Sequence, residues 1–248
     1  MDKVVLITGC SKGFGHLFAR DLARAGFKVA ATSRSMSRMQ GLAHEIEQEK
    51  LSIKLYELDV TKTETIDRTI ADVMRDFGHI DVLINNAGYG LMAFIEVCTS
   101  EEMKAQFETN VFGLIQVTQK VIPLMRKQGS GHIINISSAA AGGVAPTMGF
   151  YAASKWAVEA LSEAMYFELQ NSNIKISLVE PGPYHTHFGD SSIHNKQTEL
   201  LAKIGQKKRL QDHFIKDPQE VSDLVIKVVK SKRPKLRYPV GRTAKLIF

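Results

Sequence analysis

Cysteine is scarce in this chain: 248 residues contain two, Cys10 and Cys98. They form no CxxC pair and no cluster with metal-ligand spacing, so nothing asks for a disulfide scaffold, and reduced thiols are expected. No apolar run approaches the ~18 residues that cross a bilayer. The opening MDKVVLITG passes from a short apolar stretch directly into a glycine turn. It lacks the longer apolar region and small-residue cleavage site of a signal peptide, so a cytoplasmic chain is expected. Linkers, low-complexity segments and short repeats are also missing, and one domain over 1–248 is expected.

Charge is unevenly placed. Residues 201–248 hold 13 Lys and Arg against 4 acidic residues, whereas the first 200 residues hold 19 against 22. A basic end can draw an acidic partner, a membrane surface or nucleic acid. Here the charges are spread out with few aromatics among them, which fits a solvated surface, and no nucleic-acid partner is expected.

What the chain does have is alternation of two periodicities. KVVLIT (3–8) is an unbroken apolar run ending at a glycine, as in a strand buried on both faces. Helical spacing follows over 14–26, a strand over 27–33, a helix over 39–49, a strand over 52–60 and a helix over 64–78. Residues 80–88 read as strand then turn. A single long helix is predicted over 100–129, with Ser100 as N-cap and a kink at Pro123. Strands at 131–137, 174–182 and 236–241 and helices at 151–170 and 218–230 complete the pattern. Such repetition predicts one parallel sheet with helices on both faces. The stretch 183–217 is irregular and long for a connection, which predicts a substrate-binding lid.

Two short stretches carry chemistry. TGCSKGFG (8–15) spaces its glycines as G-x-x-x-G-x-G, at Gly9, Gly13 and Gly15, between the first strand and first helix. Glycines there let backbone approach a pyrophosphate, and the helix N-terminus favours its charge. At the end of the second strand, where an acid would bind a ribose 2′-hydroxyl, stands Ser33, followed by Arg34. With Lys12 this makes two cations and no acid, which favours NADP(H), with NAD(H) possible. In FYAASKWAVEA (150–160), Tyr151 and Lys155 lie four apart and share a helix face. A cation beside a phenol is expected to lower its pKa and fit it for proton transfer; taken alone, the spacing fits better a structural pair with the tyrosine half buried and the lysine in water.

Seven motifs in register then carry a resemblance that covers almost the whole chain. TGCSKGFG (8–15), LDV (58–60), NNAG (85–88), Asn110 in ETNVFG, NISS (135–138), YAASK (151–155) and PGPYHT (181–186) resemble the short-chain dehydrogenase/reductases. NNAGYGLMAFIE (85–96) and RYPVG (237–241) are similar to the branch of 17β-hydroxysteroid and retinol dehydrogenases. The resemblance implies a Rossmann-type α/β fold: a doubly wound parallel sheet of about seven strands in a single domain. It implies a catalytic tetrad of Asn110, Ser138, Tyr151 and Lys155. Tyr151 would move the proton, Lys155 would lower its pKa and hold the nicotinamide ribose, and Ser138 would hold the carbonyl oxygen. Asn110 would position a water. Besides the tetrad's Tyr151 and Lys155, the cofactor would meet Gly9, Ser11, Lys12, Gly13, Phe14, Gly15 and Arg34, with Asp59 and Val60 at adenine. Asn86, Ala87 and Gly88 would line it, and Pro181, Gly182 and Thr186 would sit near the nicotinamide. A lipophilic carbonyl or alcohol substrate and a homodimer or homotetramer are implied as well.

Two rivals remain at this point. His185, His187, Asp190 and His194 are metal-ligand types at close spacing, although the family's hydride chemistry needs no metal and none is expected. A non-catalytic NADP(H)-binding sensor is the other, against which the complete tetrad argues.

Overall fold

The apolar runs become the centre of a sheet because each of their residues has a partner layer. In the computed structural model, which describes residues 3–184, 192–198 and 217–248, Val4–Ile7 forms β1 and all four residues are buried. Val5 and Ile7 face one side and Leu6 the other, as strand pleat requires. The chain continues through α1 (Gly13–Arg24), β2 (Lys28–Ser33), α2 (Gln40–Glu49), β3 (Ile53–Glu57), α3 (Thr63–Phe77) and β4 (Val82–Asn85). Next come β5 (Leu91–Met92), α4 (Ser100–Phe107), α5 (Gly113–Gln128), β6 (Gly131–Ile136), α6 (Gly149–Glu168), β7 (Ile174–Pro181) and β8 (Ile193–His194). The helices α7 (Gln219–Lys230) and α8 (Arg242–Ile247) flank β9 (Arg237–Val240).

Seven strands form one parallel sheet in the order β3-β2-β1-β4-β6-β7-β9. Val5 pairs with Val29 on one side and Val82 on the other. The strand order reverses between β1 and β4, so a crevice opens at their carboxyl ends, where doubly wound folds bind ligands. Phe18 and Leu22 of α1, Leu42 of α2 and Val221 and Val225 of α7 fill one face. Ile66 and Val73 of α3, Val117 and Val121 of α5 and Met165 of α6 fill the other. Each large side chain fully buried in this way contributes about 1.5–3 kcal/mol. This is the expected Rossmann-type sheet in a single domain.

Several local readings are corrected. The long helix predicted over 100–129 is interrupted: Glu108–Phe112 is a π-helical turn between α4 and α5. Thr99, not Ser100, is the N-cap; its hydroxyl accepts from the Glu102 amide while the Glu102 carboxylate accepts from the Thr99 amide. The helix predicted from 151 starts at Gly149, and α8 was not expected. Within 183–217, Ile193–His194 pairs in parallel with Leu91–Met92 as a second, two-stranded sheet. Most of the expected lid lies outside the described residues. Both cysteines are free, and burial pushes the Cys10 thiol up to about 12, which makes it inert. No helix among the described residues is long and apolar enough to cross a membrane.

Candidate active site

The crevice is built first from backbone. Gly9 has φ +77°, and a Cβ there would lie 2.8 Å from the Ala87 Cα; one on Gly15 would lie 2.2 Å from the Gly9 carbonyl oxygen. No side chain fits at either place, so the loop folds tightly onto the end of β4. Thr8 fixes that contact: its hydroxyl accepts from the amides of Asn86 and Ala87, both at 3.0 Å. Asn86 returns two bonds through Nδ2, to the carbonyls of Thr8 and Gly9. Sequence reasoning missed Thr8, although a polar residue ending an apolar strand is a visible signal.

The result is one continuous cavity of about 1580 Å³. Gly9, Ser11, Lys12, Gly13 and Phe14 of the loop line it, as do Val60, Asn86, Ala87 and Gly88, and Pro181 and Gly182 after β7. Gly15 does not line it but shapes it through the close contact with Gly9. Asp59 is turned away: its carboxylate accepts from the Thr61 amide and hydroxyl, and Leu58, Val60 and Thr61 form the wall instead. Thr186 lies outside the described residues.

Ser33 at the end of β2 is buried, while Arg34 beside it is exposed and lines the cavity. Arg38 lines it too, and sequence reasoning missed it because a 3-10 turn (Met36–Met39) intervenes. Among the described residues, none of Lys12, Arg34 and Arg38 has an acidic partner.

Three of the four tetrad residues meet at the far end. Ser138 follows β6 and caps the next turn, accepting from the Ala140 amide at 3.1 Å. The buried Tyr151 phenol is hydrogen-bonded to the Ser138 side chain. Lys155 Nζ donates to the Ile136 carbonyl at 2.8 Å and lies 5.9 Å from the Tyr151 ring centre. Here the expectation of a lowered phenol pKa is corrected for the protein alone. Burial pushes Tyr151 up to about 12, and burial pushes Lys155 down to about 8. At neutral pH the Tyr151 phenol therefore carries its proton.

Asn110 sits in the π turn, 1% exposed, and does not line the cavity. Its Nδ2 donates to the Tyr89 carbonyl at 3.0 Å and Ser154 Oγ at 3.1 Å, and its Oδ1 accepts from the Tyr89 amide. It ties the strand-end loop to α6, one residue from Lys155. A π turn re-aims residues relative to a regular helix and occurs mostly at functional sites. Met92, Ala140, Ala145, Met148 and Ile193 add apolar lining, and Ala140 and Met148 pack against Tyr151. His194 pairs on β8 and is exposed; His185, His187 and Asp190 lie outside the described residues. Among the described residues no group of three or more metal-ligand side chains converges.

The chain is similar to known proteins along nearly its whole length. The family model for short chain dehydrogenases matches residues 3–197. The chain belongs to the short-chain dehydrogenase/reductase family. A 3-ketodihydrosphingosine reductase of Bacteroides thetaiotaomicron is 35% identical, over 99% of this chain and 90% of that protein. The 17-beta-hydroxysteroid dehydrogenase type 6 of Rattus norvegicus is 33% identical, over 100% of this chain and 83% of the relative. The crystal structure of a short-chain dehydrogenase from Streptomyces avermitilis superposes with a TM-score of 0.87 at 32% identity, covering 99% and 91% of the two chains. Membership of this dehydrogenase/reductase family supports an oxidoreductase of carbonyl and alcohol groups with a nicotinamide cofactor.

Proposed function

We propose that this dehydrogenase/reductase interconverts a lipophilic carbonyl compound and its primary or secondary alcohol by hydride transfer, with NADP(H) preferred. The observation that carries the reading is the make-up of this one continuous cavity. It joins Ser138, Tyr151 and Lys155 to a cationic end formed by Lys12, Arg34 and Arg38. Strand β2 lies three places from β6, about 14 Å, so the two chemistries stand at opposite ends of a crevice long enough for a dinucleotide.

The residues fit such a cofactor. Gly9 and Gly15 leave a cradle that a Cβ would fill, at the N-terminus of α1, where a pyrophosphate is favoured. Gly9, Ser11, Gly13 and Phe14 would hold it; Arg34, Arg38 and Lys12 would take a 2′-phosphate; Leu58 and Val60 would face adenine. Asn86–Gly88, Pro181, Gly182 and Thr186 would line the nicotinamide half. Bound there, the dinucleotide supplies or accepts hydride. Ser138 holds the carbonyl oxygen, Tyr151 gives that oxygen its proton, and Lys155 supports the phenolate left behind. Asn110 positions the wall at Tyr89. The apolar substrate end supports a lipophilic compound. Exposed Phe112, Trp156 and Phe167 on and beside α6 support a homodimer or homotetramer.

The test is Tyr151→Phe, assayed against a panel of aldehydes, ketones and alcohols with both cofactors. Turnover is expected to fall ~10²–10⁴-fold while the variant folds and binds NADPH. Near-parental turnover would refute the assignment.

A further inference from the structure

Lys155 shares its helix face with a second buried charge. Glu159 lies four residues further along α6 and is 5% exposed. Its Oε2 accepts a hydrogen bond from Arg237 Nη1 on β9. The same guanidinium reaches Glu163 Oε2 at 3.2 Å and Glu180 Oε1 at 3.4 Å. Glu180 on β7 is fully buried and accepts from the Tyr238 amide at 2.9 Å. Glu159 Oε1 is buried with no hydrogen-bond partner among the described residues.

This is an expensive way to join a helix to a strand. Burying a carboxylate costs several kcal/mol even when it is paired. The exposed Glu163 already ties α6 to Arg237. The Lys155 ammonium, for its part, has one hydrogen bond, to the Ile136 carbonyl. Around it stand Tyr151 on α6, Ser138 after β6, and Glu159. Burial drives it toward the neutral amine, and the carboxylate of Glu159 is the group that opposes this.

We propose that Glu159 is a positioning residue of the active site: its carboxylate, one helical turn along α6, keeps Lys155 in the ammonium form. The inference rests on the role assigned to Lys155 under the proposed function. It extends the site one helical turn below the tetrad, to a strand at the edge of the sheet.

The test separates this from a structural ion pair. The Lys155 amine is followed by NMR titration of ¹³Cε-lysine protein, its signal assigned by loss in Lys155→Met. This needs no turnover, so an inactive chain would refute the oxidoreductase reading and leave the titration readable. Glu159→Gln should lower the Lys155 titration point by about one unit. The alkaline limb of carbonyl reduction should move down with it. Arg237→Gln breaks the same ion pair but removes a cation. Glu180, already raised to about 7 by burial and Glu159, would take up a proton, leaving Glu159 facing Lys155, whose titration point should stay or rise. Glu163→Gln should change neither. A structural pair predicts that Glu159→Gln and Arg237→Gln act alike. An unmoved Lys155 in Glu159→Gln, or a lowered one in Arg237→Gln, overturns the proposal. If Glu159→Gln does not fold, the direction in Arg237→Gln decides alone.

Discussion

On the proposed preference for NADP(H), removing the two arginines that follow β2 should leave a protein that treats both cofactors alike. Arg34 and Arg38 are exposed and unpaired with any acid among the described residues, so their charge is available to a ligand. At ~4 Å the attraction between unit charges runs from about 1 kcal/mol in water to about 4 kcal/mol near a protein surface. Exposure places these two toward the lower figure. Each arginine then contributes about 1–2 kcal/mol to a 2′-phosphate, or roughly 5–30-fold in Kd. Because both face the same phosphate, their effects should not add fully. The double variant Arg34→Ala/Arg38→Ala should lose about 2–3 kcal/mol, or some 30–150-fold, for NADPH. For NADH, which lacks the phosphate, the change should stay within about two-fold. Titration calorimetry or nicotinamide fluorescence gives both constants. Salt supplies an internal check, since raising NaCl to ~1 M shrinks the Debye length to ~3 Å and should erode the parent's preference but not the variant's. Equal affinities in the parent, or equal losses of both cofactors in the variant, would refute the reasoning.

Gly15→Ala should fold yet lose NADPH affinity by at least about ten-fold, because its Cβ meets the Gly9 backbone at 2.2 Å and the loop must open; unchanged affinity would exclude a cradle there. His132 is buried against Ser177 and pushed down to about 4 by burial. Below its ordinary value of 6.5 the unfolded chain takes up a proton and the folded one does not, so its contribution falls as pH drops from 6.5 toward 4. Glu180, raised to about 7, runs the opposite way, so the parent alone hides the effect. Urea unfolding should show the stability advantage of the parent over His132→Gln shrinking by about 2 kcal/mol from pH 7 to pH 5; a constant difference would refute it. Sedimentation should give twice or four times the protomer mass, and Trp156→Glu should shift it toward the protomer; a monomeric parent would remove the oligomer proposal.

The sheet was legible because β1 is apolar on both faces, β4 and β6 carry short apolar runs, and each ends in a polar or glycine turn, a pattern no helix requires. The glycine loop was legible for the same reason: steric need shows directly in residue type. The π turn at Glu108–Phe112 was not, since it inserts one residue without disturbing the polar and apolar composition of the helix. The capping box was visible as Thr99 with Glu102 and was passed over for the adjacent Ser100. At Tyr151 the spacing to Lys155 reported proximity, but burial, which set both pKa values, depends on segments far away in sequence. Arg38, Met148 and Ile193 reach the cavity from three separate connections, and no local period links them.

On the proposed function, the two-stranded sheet puts part of the substrate wall on a pairing only two residues long. Ile193, the strand partner of Leu91, lines the cavity, and its neighbours Ser192 and His194 are both polar. Adjacent strand residues point to opposite faces, so a shift of one residue exchanges which of them looks inward. A single codon gained or lost ahead of Ile193 would therefore replace a sec-butyl wall by a hydroxyl or an imidazole. Neither Ser138, Tyr151 and Lys155 nor the glycine loop would have to move. On the proposed function, an indel in that one connection would change what the cavity accepts and leave the residues assigned to hydride and proton transfer as they are.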